Sequence, residues 1–172
     1  METPVKPGRT PRDMALSLVV LLVPVVLLVV AYRYVQGGDR PVVVDPAPAI
    51  AQAQARGVPV TAPIGLGEGW LSTAATYRDE SGGGTLRIGY VTPDGGGVQL
   101  IQSTMPADDL LARELGREAR STGTVPVEGQ PWQRYAVRAG ETALIRTDNT
   151  RTLIVIGHAS DEELTTLAGS VA

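Results

Sequence analysis

The apolar positions divide the chain into one unbroken apolar segment and a patterned remainder. Nineteen of the 22 residues from Met14 to Val35 are apolar. As a helix, 22 residues extend about 33 Å, which matches a hydrocarbon core of about 30 Å. We therefore predict a single transmembrane helix over residues 14–35, in contact with the lipid bilayer, preceded by a short cytoplasmic tail at residues 1–13.

The charges that flank this segment predict its orientation. Lys6, Arg9 and Arg12 precede it, whereas only Arg33 and Arg40 follow closely. Because positive residues favour the cytoplasmic side, we expect a cytoplasmic amino terminus and a carboxyl-terminal domain outside the cell membrane. A cleaved signal peptide is the alternative, but the apolar run is longer than a typical signal core and no small-residue cleavage site follows it.

The residues after the membrane segment are rich in proline, glycine and alanine. This composition, over residues 36–63, predicts a tether with little core of its own. A short helix at 46–56 fits within it, because Asp45 can cap a helix that has Pro46 at its first position and Gly57 after its end. Since so short a helix is marginal alone, it must dock onto the following domain.

The pattern over residues 64–172 is typical of strands interrupted by two helices. Leu86, Ile88 and Tyr90 alternate with Arg87 and Gly89, which indicates a strand with one buried face. The stretch 153–156 is apolar at every position and predicts a central strand covered on both faces. The six predicted strands cover residues 73–78, 85–92, 98–104, 132–138, 142–147 and 152–158.

Two helices complete this predicted domain. The first begins at Pro106, has Asp108 and Asp109 in its first turn, and is expected to continue to Gly123. The second begins at Ser160, which forms a capping box with Glu163. The order of elements predicts an α+β fold, a largely antiparallel sheet with packed helices.

The amino-acid composition excludes several classes of functional site. The chain has no cysteine, one histidine and one lysine, Lys6, which precedes the membrane segment. These counts exclude disulfides, thiolate nucleophiles, cysteine or paired-histidine metal motifs, and a lysine nucleophile in the domain. From Val60 onward fourteen acidic residues face nine arginines, so we expect no nucleic-acid partner.

The remaining candidate residues favour structural interpretations. His158 could act as a general base, but no serine or carboxylate is placed to form a triad, so a hydrogen-bonded histidine or one at the rim of the core is expected. The acidic groups at 79–80, 108–109 and 161–163 lie in a turn and in helix first turns, without the spacing of a calcium loop. The 65–69 glycine cluster follows no hydrophobic strand, unlike a phosphate-binding loop. We predict no catalytic, cofactor or metal residues, and the binding residues stay undetermined.

Aromatic and arginine side chains leave two interpretations open. We expect the aromatic residues to anchor the core, with ligand contact as the alternative; these are Trp70, Tyr90, Trp132 and Tyr135. We expect the late-strand arginines to form a solvated face, with a patch for an anionic partner as the alternative; these are Arg134, Arg138, Arg146 and Arg151. Arg138 and Glu141 flank a short turn and are expected to pair across it.

Several short sequence motifs resemble those of a known family. They are Gly69-Trp70, the stretch 89–95, Gln102-Ser103, Gly129 with Trp132 and Tyr135, the stretch 143–146, and a closing helix over 164–170. Together with a single amino-terminal span, they resemble the actinobacterial single-pass membrane family known as domain of unknown function 4245. This family has no assigned activity or catalytic residues, so the resemblance implies only the membrane anchor.

The sequence therefore favours a membrane-anchored extracytoplasmic binding or accessory module, without catalytic activity, that recognises an envelope protein or ligand. The alternative is an envelope enzyme that uses carboxylate or hydroxyl residues. A third hypothesis is a regulator whose tail contacts a cytoplasmic protein, although residues 1–13 are too short to fold alone.

Overall fold

The computed structural model describes residues 11–35, 42–80, 82–138 and 140–172. The chain forms two compact units that divide between Arg40 and Pro41. The first unit contains helix α1, Pro11–Val35, with Pro24 inside it. Residues 1–10 of the predicted tail and 36–41 of the predicted tether lie outside the described residues.

Helix α1 is long and apolar enough to cross a membrane. Its apolar part is Met14–Tyr32, 19 residues of which none is buried within the structure. Leu16 and Leu28 are each 70% exposed, an arrangement that costs free energy in water and is favourable in lipid. The predicted membrane-spanning segment therefore corresponds to one apolar helix near the amino terminus.

The second unit contains a seven-stranded antiparallel sheet and three helices, which confirms the predicted α+β fold. The strands are β1 (Leu71–Glu80), β2 (Gly83–Val91), β3 (Gly97–Ser103), β4 (Arg120–Val127), β5 (Gln130–Ala136), β6 (Thr142–Thr147) and β7 (Thr152–His158). Their order in the sheet is β1-β2-β3-β7-β6-β5-β4. The fully apolar strand β7 is thus central, as its sequence predicts.

The helices cover the two faces of the sheet unequally. Helices α2 (Ala47–Ala55) and α4 (Asp161–Gly169) pack on one face, the α2/α4 face, over the larger core, which contains Leu86, Trp132 and Val155. Helix α3 (Ala107–Leu115) packs on the opposite face, the α3 face, where Leu110 and Leu115 contact a smaller core. With only nine residues, α3 leaves part of its face uncovered.

The segment before residue 64 is part of the domain. Ala53, Val58 and Val60 are buried in the larger core. The Gln102 side chain accepts a hydrogen bond from the Thr61 amide nitrogen at 2.9 Å and donates one to its carbonyl oxygen at 2.6 Å. The sequence places the start of the domain at 64, whereas the compact unit starts at Pro41, because this segment docks through a few small residues and backbone hydrogen bonds.

The predicted helix from Pro106 to Gly123 is wrong in its second half. Helix α3 ends at Leu115, and Gly116 follows with a φ of +73°, which favours glycine. Residues Arg120–Val127 form strand β4, and Gly123 lies at a bulge within it. The fourfold spacing of Ala119 with Leu115 suggested a helix, but Ala119 packs on the smaller core from beyond the helix end.

The predicted capping box at the start of α4 is confirmed. Ser160 Oγ accepts a hydrogen bond from the Glu163 nitrogen, and the Glu163 carboxylate accepts one from the Ser160 nitrogen. The other carboxylate oxygen accepts a hydrogen bond from the Asp94 nitrogen at 3.2 Å. Hydrogen bonds from Thr92, Ser160 and Asp94 lower the pKa of Glu163 despite its burial. Through these hydrogen bonds, Glu163 connects the β2–β3 turn to the start of α4.

Candidate functional site

A cleft of about 470 Å³ opens on the part of the α3 face that helix α3 leaves uncovered. It lies among strands β1, β2, β3 and β7, the end of α3 and the loop after β5. Its polar side chains come from β1, β3, β7, the end of α3 and the loop after β5, and they are Thr73, Gln99, Glu114, Arg138, Glu141 and His158. This convergence of charged and neutral polar groups makes the cleft the candidate functional site.

Two glycines form the floor of the cleft. Gly89 lies opposite Gln99, and Gly97 lies opposite His158, so both glycines share the face of these cleft residues. A Cβ atom at Gly97 would meet no atom within 4 Å, and one at Gly89 would lie 3.6 Å from the Ala74 Cβ. Because neither glycine carries a side chain, backbone lines the floor and the space above it stays open.

Glu114 is held as a fixed anion at one wall. Arg87 donates two hydrogen bonds to its carboxylate, one of them from Nη1 to Oε2 at 2.7 Å, and Arg113 donates a third. Burial acts to raise the pKa of Glu114, but the hydrogen bonds and charges of Arg87 and Arg113 outweigh it and lower the pKa. A carboxylate held in this way is a poor proton donor or acceptor near neutral pH.

Arg138 and Glu141 form a loose ion pair at the opposite wall. Arg138 Nε lies 3.9 Å from Glu141 Oε2, which confirms the predicted pairing but is too long for a hydrogen bond. The Arg138 side chain is 74% exposed, whereas that of Glu141 is 16% exposed. Among the described residues, Oε2 of Glu141 has no hydrogen-bond partner although it is buried. Within the described part of the chain, Glu141 Oε2 therefore retains unused hydrogen-bonding capacity.

His158 lies at the rim, at the end of strand β7, as its position in the sequence predicts. It is exposed, and a Cβ atom at Gly140 would lie 3.5 Å from its Cδ2. Thr73 Oγ1, the hydroxyl that lines the cleft, donates to the Gly89 carbonyl oxygen at 3.4 Å. The cleft thus gathers His158, Arg138 and Glu141, of which the sequence related only the last two.

Comparison with known proteins places this fold in a family. The family model described as "Protein of unknown function (DUF4245)" matches residues 7–171, almost the whole chain. The chain belongs to this family. No curated protein and no solved structure matches it.

The other acidic candidates of this family member are dispersed. Asp79 pairs with Arg56, Glu80 with Arg113, and Asp161 with Arg134. Asp108 and Asp109 lie in the first turn of α3, as predicted. Within the described ranges, no group of three or more histidine, aspartate or glutamate side chains is arranged to hold a metal ion.

Both tryptophans of this family member contribute to the larger core. Trp132 is fully buried in the larger core, and Trp70 packs against the same core with its ring edge-on to Tyr90 at 6.1 Å between centroids. Tyr135 packs against the smaller core instead. Tyr90 is itself buried in the larger core and is also one of the residues that line the cleft.

The late-strand arginines have different surroundings in the structure, although burial and then the nearby charge of Arg146 both lower the pKa of Arg151. Arg134 pairs with Asp161, and Arg151 donates to Gln102 and to the Pro59 carbonyl oxygen. Arg138 alone of the four lines the cleft.

The two floor glycines are among the site residues that the sequence did not predict, together with Thr73, Gln99 and Glu114. The sequence did contain an indication of these glycines. A glycine inside a strand pattern often marks a site where a ligand or another backbone approaches the strand closely. Gly89 interrupts the alternating strand 85–92, and Gly97 comes directly before the strand 98–104. Neither position indicates by itself which distant residues face the opening.

Proposed function

We propose that this protein is a single-pass membrane protein whose carboxyl-terminal domain is a binding or accessory module outside the cell membrane. The observation that carries the proposal is the polar, glycine-floored cleft in a domain that follows a membrane-compatible helix in the chain. The partner is an envelope protein or ligand, and the bilayer serves as anchor through residues 14–35. We propose no catalytic role for the module.

The orientation rests on the excess of positive residues before the helix, and the absence of cysteine permits a clean test. Asn149 is exposed in the β6–β7 turn, on a different part of the domain from the cleft. In an Asn149→Cys variant, we expect a membrane-impermeant maleimide to label the protein on intact cells.

The matched control is Thr3→Cys, in the predicted cytoplasmic tail, which we expect to be labelled only after the membrane is permeabilised. Labelling of Thr3→Cys but not Asn149→Cys on intact cells would place the domain in the cytoplasm and contradict the proposal. Release of the domain into the medium would instead indicate a cleaved signal peptide.

Binding is tested by filling the cleft without disturbing the fold. Gly97 has room for a side chain and no left-handed φ, so Gly97→Leu extends into the open cleft. We expect it to reduce partner recovery after crosslinking in native membranes by about tenfold or more, because a filled site excludes the bound group.

Gly67→Leu is the control for this experiment. A Cβ atom at Gly67 would likewise meet no atom within 4 Å, its φ is not left-handed, and it does not line the cleft. Equal recovery of the same partner with wild type, Gly97→Leu and Gly67→Leu would show that the cleft is not the binding site.

An envelope enzyme is the second candidate, favoured by the presence of Glu141 and His158 in one cleft of suitable size. Two contacts argue for binding instead. Thr73 donates its hydroxyl to a backbone carbonyl, whereas a nucleophile requires a base to accept its proton. Glu114 is fixed as an anion by two arginines, which leaves it unsuited to general acid catalysis.

A further inference from the structure

The loose ion pair between Arg138 and Glu141 indicates the chemistry of the ligand. In a bidentate salt bridge, arginine donates two parallel hydrogen bonds to a carboxylate, with donor–acceptor distances of about 2.7–2.9 Å. Here the nearest atoms are 3.9 Å apart, and Glu141 Oε2 has no hydrogen-bond partner among the described residues. The two charges neutralise each other, but they do so without a hydrogen bond between Arg138 Nε and Glu141 Oε2.

The exposure of the Arg138 side chain makes the pair separable. Because the Arg138 side chain is largely exposed, it can change rotamer at little cost, while the Glu141 side chain is mostly buried in the wall of the cleft. An ammonium group that takes the place of Arg138 beside Glu141 would complete the hydrogen bonding of the carboxylate. The displaced guanidinium would then face a second, anionic group of the same ligand.

The charge balance of the cleft favours a ligand with no net charge. Arg138 and Glu141 cancel, and the two charges of Arg87 and Arg113 are balanced by Glu114 and Glu80. A polyanion or a polycation would leave one member of the Arg138–Glu141 pair against a like charge. A molecule that carries both charges close together meets each with its opposite.

We propose that the cleft binds a small zwitterionic molecule of the amino-acid or short-peptide class, with its ammonium at Glu141 and its carboxylate at Arg138. The floor of Gly89 and Gly97 leaves room for the rest of the molecule. This inference rests on the proposed binding function and specifies the ligand.

The test is a calorimetric titration of the full-length protein in detergent micelles with three probes. Glycylglycine carries both charges, acetyl-glycylglycine lacks the ammonium, and glycylglycinamide lacks the carboxylate. We expect glycylglycine to bind and each modified peptide to bind at least about tenfold more weakly, because each lacks one charge-assisted contact.

Variants assign the two contacts. We expect Glu141→Gln and Arg138→Gln each to weaken glycylglycine binding by about tenfold or more. Furthermore, Glu141→Gln should remove the preference for a free ammonium and Arg138→Gln the preference for a free carboxylate. The controls are Glu118→Gln and Arg117→Gln, two neighbouring positions that do not line the cleft.

Two results would overturn the inference: absence of glycylglycine binding to the wild-type protein at millimolar concentration, or equal binding of all three probes. If either result occurs while Gly97→Leu still reduces crosslinking to the partner, only the ligand class is wrong. If Gly97→Leu also leaves crosslinking unchanged, the proposed binding function fails with it.

Discussion

Gly157→Ala is expected to lower the free energy of unfolding of the carboxyl-terminal domain by about 3 kcal/mol. A Cβ atom at Gly157 would overlap the Gly97 carbonyl oxygen and lie 2.7 Å from the Val98 Cα. These are backbone atoms of the neighbouring strand, which cannot rotate away as a side chain would. Strand β7 is also paired with β6 on its other side, so a shift must disturb one ladder or the other.

The measurement is urea unfolding of the full-length protein in detergent, followed by tryptophan fluorescence. Gly97→Ala is the matched control, because it makes the same chemical change on the adjacent strand where a Cβ meets no atom within 4 Å. We expect its effect to stay within about 0.5 kcal/mol. A Gly157→Ala midpoint equal to that of Gly97→Ala would show that the strands adapt without cost.

Trp132→Ala is expected to cost about 3–5 kcal/mol, because it removes the largest fully buried side chain and leaves a cavity in the larger core. Trp132→Phe should cost much less than that. The buried indole nitrogen of Trp132 has no hydrogen-bond partner among the described residues, so phenylalanine keeps most of the ring contact and removes an unsatisfied donor.

This comparison is measured in the same urea experiment, with circular dichroism as the signal since a tryptophan is lost. Tyr135→Ala, on the smaller core, is the reference for an aromatic side chain that is only partly buried. Equal losses for Trp132→Phe and Trp132→Ala would contradict the prediction and mean that the indole nitrogen makes a stabilising hydrogen bond, through a buried water for example.

The elements that the sequence predicts correctly are those with a strong local signal. Strand β7 is apolar throughout and lies at the sheet centre, and Ser160 with Glu163 forms the expected capping box. Strand β4 was missed because its exposed positions carry no alternating apolar pattern and its glycine resembled a helix stop. An edge strand buries little, so the pattern that would reveal it is weak.

The cleft could not be predicted from the sequence, because its residues come from strands that are distant in the chain. Gly97 and His158 come together only because β3 pairs with β7, and Glu141 joins them only because β6 pairs with the other side of β7. No local preference specifies which distant strands become neighbours. The sequence could therefore identify Arg138 with Glu141, which flank one turn, but not the cleft that they line.

The sequence by itself determined the apolar helix near the amino terminus, the α+β class, the excluded chemistries and the family. Each of these depends on composition, on local periodicity or on short sequence motifs. Only the tertiary structure decided that residues 42–63 belong to the domain and that α3 is short enough to leave a cleft open beside it. These outcomes depend on contacts between distant segments, whose free energy appears only when the sheet has assembled.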